Sequence, residues 1–304
     1  MNVITVENLK KSYGDTHAVA DISFSVQRGE IFGIVGPNGA GKTTTVECLA
    51  GLRRATSGSI RVLGLDPQRE ERAVRRLIGV QLQQSALPDD IRVWEALDLF
   101  ASFYPHPLDW HVLLNTWGLA EKSTARFNTL SGGQKQRLFI ALALVHNPEL
   151  VILDELTTGL DPQARHATWD LIERLRAEGK TVVLVTHFMD EAERLCDRIA
   201  IIDHGKLVAL DSPKTLIHSL NADMRLRFAD PSPRDWSLLQ TVEGVNSVER
   251  RNGDVVVSGG ANLLVNVVTK MNEIGYQPVD LRSEAVTLED VFLSLTGREI
   301  RAND

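Results

Sequence analysis

The sequence predicts an α/β protein in two parts, a sheet core flanked by helices and then a small α+β domain. Three observations predict it. Apolar, β-branched runs such as IFGIV, LVILD and TVVLVT alternate with helical patterns, which implies strands covered on both faces. A glycine-rich stretch, GPNGAGKTT, stands between one such run and a helix. After about Leu220 the texture changes, with two prolines and a charge-rich break in DMRLRFADPSPRD.

The elements follow in order. MNVITVENLKKSY and ADISFSVQRGE alternate apolar and polar residues, a strand pattern with a turn at Gly14-Asp15. IFGIV reads as a buried strand feeding the helix KTTTVECLAGL, and GSIRVLG as another strand. From about Gln68 to Asn147 the pattern is mostly helical, in VWEALDLFASFY, WHVLLNTWGL and GQKQRLFIALALVHN. QREERAVRRLIG reads as a solvated helix face. LVILDE, PQARHATWDLIERLRAEG, TVVLVTH, MDEAERLCD, RIAIID and KLVALDSP then alternate strand and helix. Beyond the break the order is strand, helix, a hairpin turning at Asn252-Gly253, helix NLLVNVVTKMNEIG, strand YQPVDLR and helix TLEDVFLSLTG. That is a split βαββαβ arrangement with a final helix.

The chain has 304 residues, 43% hydrophobic and 24% charged, so it can bury a large core. Its net charge of −7 argues against a protein that coats nucleic acid. Cys48 and Cys196 lack metal-type spacing and read as buried thiols outside any disulfide framework. The N-terminus does not read as a secretion signal, and no stretch approaches the ~18 apolar residues of a membrane helix. A role at a membrane would need another chain to cross it.

The chemistry concentrates in a few motifs. Gly36, Pro37, Asn38, Gly39, Ala40, Gly41, Lys42 and Thr43 fit G-x-x-x-x-G-K-[ST], followed by Thr44. Such a loop needs backbone N–H groups facing phosphate without intervening side chains. The helix N-terminus adds partial positive charge, Lys42 reaches the β- and γ-phosphates, and the Thr43 hydroxyl suits Mg²⁺. LVILDE ends a strand in two acids: Asp154 suits Mg²⁺ held through water, and Glu155 is placed to accept a proton from the attacking water. His187, at the end of TVVLVTH, lies at the same sheet edge, where it can contact a γ-phosphate. Ser131 reads as an N-cap, with Gly132 and Gly133 leaving amides open to an anion and Gln134 beyond them. One chain thus carries a full phosphate loop and a further half-site. The half-site is either a capped helix or the completion of a nucleotide held by a second copy, packed head to tail.

These residues resemble the ATP-binding subunits of ABC transporters over about residues 2–220. GPNGAGKTT matches the family's Walker A, LSGGQ its signature, LVILDE its Walker B and TGLD, with Asp161, its D-loop. His187 falls at the H-loop. Gln83 falls at the Q-loop as a Mg²⁺ ligand, with Gln81 and Gln84 beside it, and Tyr13 falls where the family stacks an aromatic on adenine. Leu156 stands where the family usually has proline. The resemblance implies a P-loop NTPase cassette of ABC type at 1–220, with a mixed sheet and a helical subdomain at about 85–145. It also implies a C-terminal accessory domain at 221–304. Within the helical subdomain, LDLFASFYPHPLDW falls where the family meets its membrane partner. ATP and Mg²⁺ are the implied cofactors, and a second copy of the chain the implied ATP-dependent partner.

DELTTGLDPQAR and TLEDVFLSLTGREI resemble the ATPases of ABC-2 type permeases, including daunorubicin-resistance exporters. This implies export through a separate permease and a peripheral location on the cytoplasmic face of the cell membrane, with no nucleic-acid partner. Alternatives remain: an importer's ATPase, or an ABC ATPase that works on ribosomes or DNA. Against the second, the chain has one set of motifs, and Lys42 to Ser131 leaves no room for a long coiled coil. A P-loop kinase would leave LSGGQ unused.

Overall fold

The computed structural model describes residues 1–83, 85–220, 224–230, 234–251, 253–260 and 262–297. Two compact units result, Met1–Ser212 and one that begins at Pro213.

The first unit opens with the strands β1 (Asn2–Tyr13), β2 (Thr16–Gln27) and β3 (Ile31–Val35), then helix α1 (Lys42–Leu49) and strand β4 (Ser57–Val62). Next come α2 (Glu71–Leu77), β5 (Ile78–Gln81), α3 (Val93–Ala101), α4 (Trp110–Thr116) and α5 (Gly132–Leu144). The remainder is β6 (Leu150–Asp154), α6 (Pro162–Ala177), β7 (Thr181–Thr186), α7 (Met189–Leu195), β8 (Arg198–Asp203) and β9 (Lys206–Asp211). One sheet runs β4-β1-β2-β9-β8-β3-β7-β6-β5. Strands β5, β6, β7, β3 and β8 pair in parallel, whereas β4-β1-β2 and β8-β9 pair antiparallel, so the sheet is mixed.

The strand period decides which residues meet the first helix. In β3, Phe32 and Ile34 join the core that includes Val46 and Leu49 of α1. Gly33, between them, faces the other way, where a Cβ would lie 2.8 Å from the Cys196 sulfur just past α7. The two helices therefore cover opposite faces of β3. Along β6, Leu150 and Ile152 belong to the α1 face, and the same alternation brings Asp154 to that face at the strand's end.

Two readings needed correction here. The helical stretch from Gln68 to Asn147 contains a strand, β5, which is too short and too apolar for period to mark. Helix α3 stops at Ala101 rather than running through Tyr104. The charged helix α2 buries only Val74, as a solvated face should. Cys48 and Cys196 are both buried and free.

The second unit contains α8 (Pro213–His218), β10 (Met224–Ala229), β11 (Val245–Arg251), β12 (Asp254–Gly259), α9 (Leu263–Glu273), β13 (Val279–Ala285) and α10 (Leu288–Thr296). Its sheet order is β11-β12-β10-β13, antiparallel throughout. The expected first helix is reduced to a 3-10 turn, Ser237–Thr241. Trp236 and Leu239, which flank and occupy that turn, still fill the core over Phe228, Val257 and Met271. Of the hairpin turn read at Asn252-Gly253, the asparagine lies outside the described residues. Helix α10 buries Leu288, Val291 and Phe292 but leaves Leu295 exposed, so its apolar stripe is one position shorter than the sequence suggested.

Candidate active site

The glycine loop joins β3 to α1, and its glycines are required by close packing. A Cβ on Gly36 would lie 2.1 Å from the Ile202 carbonyl oxygen, and one on Gly41 2.3 Å from that of Ala18. Gly41 is also left-handed, with φ of 100°. Gly39, by contrast, has nothing within 4 Å of its virtual Cβ, so the loop presents bare backbone on that side. The Lys42 ammonium donates to the carbonyls of Gly36 at 2.9 Å and Pro37 at 3.0 Å. Burial pushes its pKa down, opposed by Glu155 and Asp154.

Asp154 is fully buried at the end of β6. Neither carboxylate oxygen has a hydrogen-bond partner by geometry, although the Thr43 hydroxyl is near enough to pull its pKa down. Burial first, and then the neighbouring Glu155, raise that pKa to about 6. Two orphaned anionic oxygens beside a hydroxyl suit a hard cation with oxygen ligands. The residues present therefore fit Mg²⁺, which Asp154 and Thr43 would hold.

Glu155 follows directly, with φ of 50°, a left-handed conformation uncommon for any residue but glycine. Its amide donates to Val185 O at 2.9 Å, which ties the turn to β7. Its side chain gathers three others. Gln83 Nε2 donates to Oε2 at 2.7 Å, while Lys42 Nζ and His187 Nδ1 stand 3.7 and 3.5 Å from Oε1. The contact with His187, then the charge of Lys42, outweigh burial and hold the Glu155 carboxyl below its ordinary range. It is an ionised acceptor with cationic and polar neighbours.

The cleft at this point measures about 350 Å³ and is lined by Ala18, Asn38, Gly39, Gly41, Lys42, Thr43, Thr44, Gln83 and Glu155. Ala18 is the lining residue that the sequence did not reveal. Its sole signal is small size, and its place depends on the β2 register. Among the three glutamines, Gln83 takes the place beside Glu155. Gln81 is buried and donates to Leu82 O, and Gln84 lies outside the described residues. Tyr13 is 43% exposed at the end of β1, with the Lys11 ammonium 4.8 Å over its ring, and does not line the cleft.

Ser131 to Gln134 and Asp161 gather elsewhere on the chain. Ser131 and Gln134 form a reciprocal capping box at the start of α5, with Gln134 N donating to Ser131 Oγ at 3.3 Å and Ser131 N to Gln134 Oε1 at 3.0 Å. A Cβ on Gly133 would meet Ala164 at 3.3 Å, and one on Gly132 would meet Leu160 at 3.8 Å. Asp161 caps α6 by accepting from Ala164 N at 2.8 Å. The signature turn thus leans on the start of α6. Leu156, in the position of the usual proline, is buried as an apolar plug.

Two further clefts, of about 440 and 490 Å³, are larger but are lined by none of the motif residues. The first has an apolar lining that includes Ile78, Phe100, Tyr104, Phe139 and Leu142, with Tyr104 stacked on His146 at 4.2 Å.

Comparison with known proteins agrees with this geometry. The family described as ABC transporter matches residues 19–158. The Nod factor export ATP-binding protein I of Ralstonia nicotianae is 38% identical over 308 residues, covering 98% of this chain and 95% of the relative. The protein of that name from Paraburkholderia xenovorans is 40% identical, with 98% of each chain covered. Among solved structures, an ATP-binding subunit of an ABC transporter is 28% identical with a TM-score of 0.65, covering 72% of this chain and 93% of its own. A dimeric ABC cassette in a post-hydrolysis state with ADP and phosphate is 28% identical with a TM-score of 0.63, covering 69% and 98%. The glycine loop, the acidic strand end, the signature turn and this likeness along almost the whole chain lead to one conclusion: the chain belongs to the ABC transporter ATPases, as an ATP-binding subunit.

Proposed function

We propose that this ATPase powers export through a separate ABC-2 type permease, as a head-to-tail homodimer on the cytoplasmic face of the cell membrane. One observation carries the dimer reading. The chain's own signature turn leans on α6, while its phosphate loop faces Gln83 and Glu155 with no signature residue lining that cleft. A second copy supplies what each cleft lacks. The relatives named for export, similar over nearly all of their length, support the direction of transport. No helix among the described residues is long and apolar enough to cross a membrane, and in this reading the permease does so. The apolar cleft around Phe100 and Tyr104, in the helical subdomain, offers that partner a place to dock.

The residue roles in this reading come from the family resemblance, and the cluster of Lys42, Gln83, Glu155 and His187 supports those at the phosphate end. Tyr13 stacks on adenine, while residues 36–44 cradle the phosphates with Lys42 against their charge. Thr43, Gln83 and Asp154 would hold Mg²⁺, which would supply charge neutralisation for the phosphates. Glu155, kept ionised, accepts the proton of the attacking water, and His187 contacts the γ-phosphate. Ser131, Gly132, Gly133 and Gln134 close over the nucleotide of the second copy, and Asp161 links the two sites. Because ATP binds the closed dimer better than the separate chains, binding closes the pair and hydrolysis releases it.

Glu155→Gln tests this reading. The variant is expected to bind ATP, stay dimeric and retain no turnover, and in its native cells to co-purify with a polytopic membrane protein. Hydrolysis at a near wild-type rate would remove Glu155 as the base. Ribosomes or DNA in place of a membrane protein would refute the transport partner.

A further inference from the structure

One fully buried acid has no part in the scheme above. Glu191, on α7, has no exposed surface, and no ion pair among the described residues involves it. Trp169 Nε1, on α6, donates to its Oε1 at 2.8 Å, and Trp169 is itself 4% exposed. The hydroxyls of Thr186 and Thr157 bear on the same carboxyl closely enough to lower its pKa, though burial dominates and raises it. Its Oε2 and the Thr157 hydroxyl have no hydrogen-bond partner by geometry.

The positions of those partners matter. Thr157 lies two residues beyond Glu155, Thr186 directly precedes His187, and Trp169 lies on the helix that Asp161 caps. A second tie joins the same segments. The Arg165 guanidinium of α6 lies 4.3 Å over the Phe188 ring and 3.7 Å from Asp190 Oδ2, and the Phe188 ring lies tilted against His187, with centroids 4.1 Å apart. An apolar side chain at 191 would avoid the cost of burying a carboxyl. A polar group at such a junction specifies geometry, because each hydrogen bond fixes one segment relative to another.

We propose that Glu191 is a positioning residue for hydrolysis, tying α7 to α6 through Trp169 while its carboxyl sits beside the Thr157 and Thr186 hydroxyls of the segments that carry Glu155 and His187. The inference rests on the catalytic roles given to Glu155 and His187. A misplacement of about 1 Å at such a pair costs on the order of a hundredfold in rate without loosening the substrate. The effect therefore falls on kcat rather than on nucleotide binding.

The test uses the full chain with Glu191→Gln, Glu191→Leu and Trp169→Phe, measuring ATP turnover, ADP affinity and Tm, with Glu155→Gln as control. Leucine fills the volume without the hydrogen bonds, whereas glutamine keeps an acceptor for Trp169 and a donor for a threonine. Glu191→Leu and Trp169→Phe are expected to lower kcat by roughly tenfold or more with KM, ADP affinity and Tm nearly unchanged, and Glu191→Gln to restore turnover to within about threefold. Turnover of Glu191→Leu within about twofold of wild type overturns the proposal. So does a loss that follows Tm and ADP affinity in every variant, because that is a purely structural role. Should Glu191→Leu fail to fold, Trp169→Phe decides the matter by the same criteria. Active Glu155→Gln would refute the base assignment instead, which keeps the two failures distinct.

Discussion

Gln83 and Glu155, 72 positions apart in sequence, are joined by a hydrogen bond of 2.7 Å from Gln83 Nε2 to Glu155 Oε2. The loop after β5 is thereby fastened to the residue after β6. A hydrogen bond to a charged group contributes about 1.5–3 kcal/mol, so Gln83→Ala should lower kcat roughly ten- to a hundredfold. Steady-state turnover with saturating Mg·ATP measures it. Unchanged kcat would mean that Gln83 has no role in the reaction.

Two glycines of the loop separate space from strain. Both Gly39 and Gly41 are left-handed, with φ of 78° and 100°, but only Gly41 has a carbonyl within 2.3 Å of a virtual Cβ. Gly39→Ala should cost about 1 kcal/mol of backbone strain. Gly41→Ala should cost about 2 kcal/mol or more and abolish tight ATP binding, because the loop must move. Denaturant unfolding beside ATP titration checks the order, and equal effects would contradict the packing account.

The buried Glu191 gives a dependence on pH. Its folded pKa lies above the ordinary 4.5, so its contribution is complete below that value and is lost as pH rises through the folded pKa. The charged and titratable groups around it are Asp190 beside it, Arg165 paired to Asp190, Arg194 over Trp169, and the Cys196 thiol. Glu191→Gln carries no titrating proton. Its stability should gain on the wild type above about pH 4.5, by up to about 1.4 kcal/mol per pH unit. Parallel stability curves would show that Glu191 keeps an ordinary pKa.

Head-to-tail pairing predicts complementation. Lys42→Ala removes one chain's phosphate loop and Gly133→Asp removes the other's signature turn. Each variant alone should be inactive. Mixed, half of the dimers are hybrids with one complete cleft in two, which should restore up to roughly a quarter of wild-type turnover. A mixture as inactive as its components would count against composite sites.

The sequence by itself determined the cassette, its motifs and much of the element order. Those signals are local: glycine where backbone must approach closely, strand runs that end in acids, and the Ser131 cap on a helix. Tertiary structure decided what depends on register and packing across distant segments. The order of the mixed sheet selected Gln83 over Gln81 and brought Ala18 to the loop. The alternation along β6 turned Asp154 toward α1 and left Glu155 to the turn beyond. The helix expected between β10 and β11 became a 3-10 turn, and Trp236 and Leu239 fill the core without it. Glu191 lies in a helical pattern that reads as ordinary amphipathic surface. Its burial, and the three segments it joins, arise only where α6 and α7 pack together, and no local pattern encodes that contact.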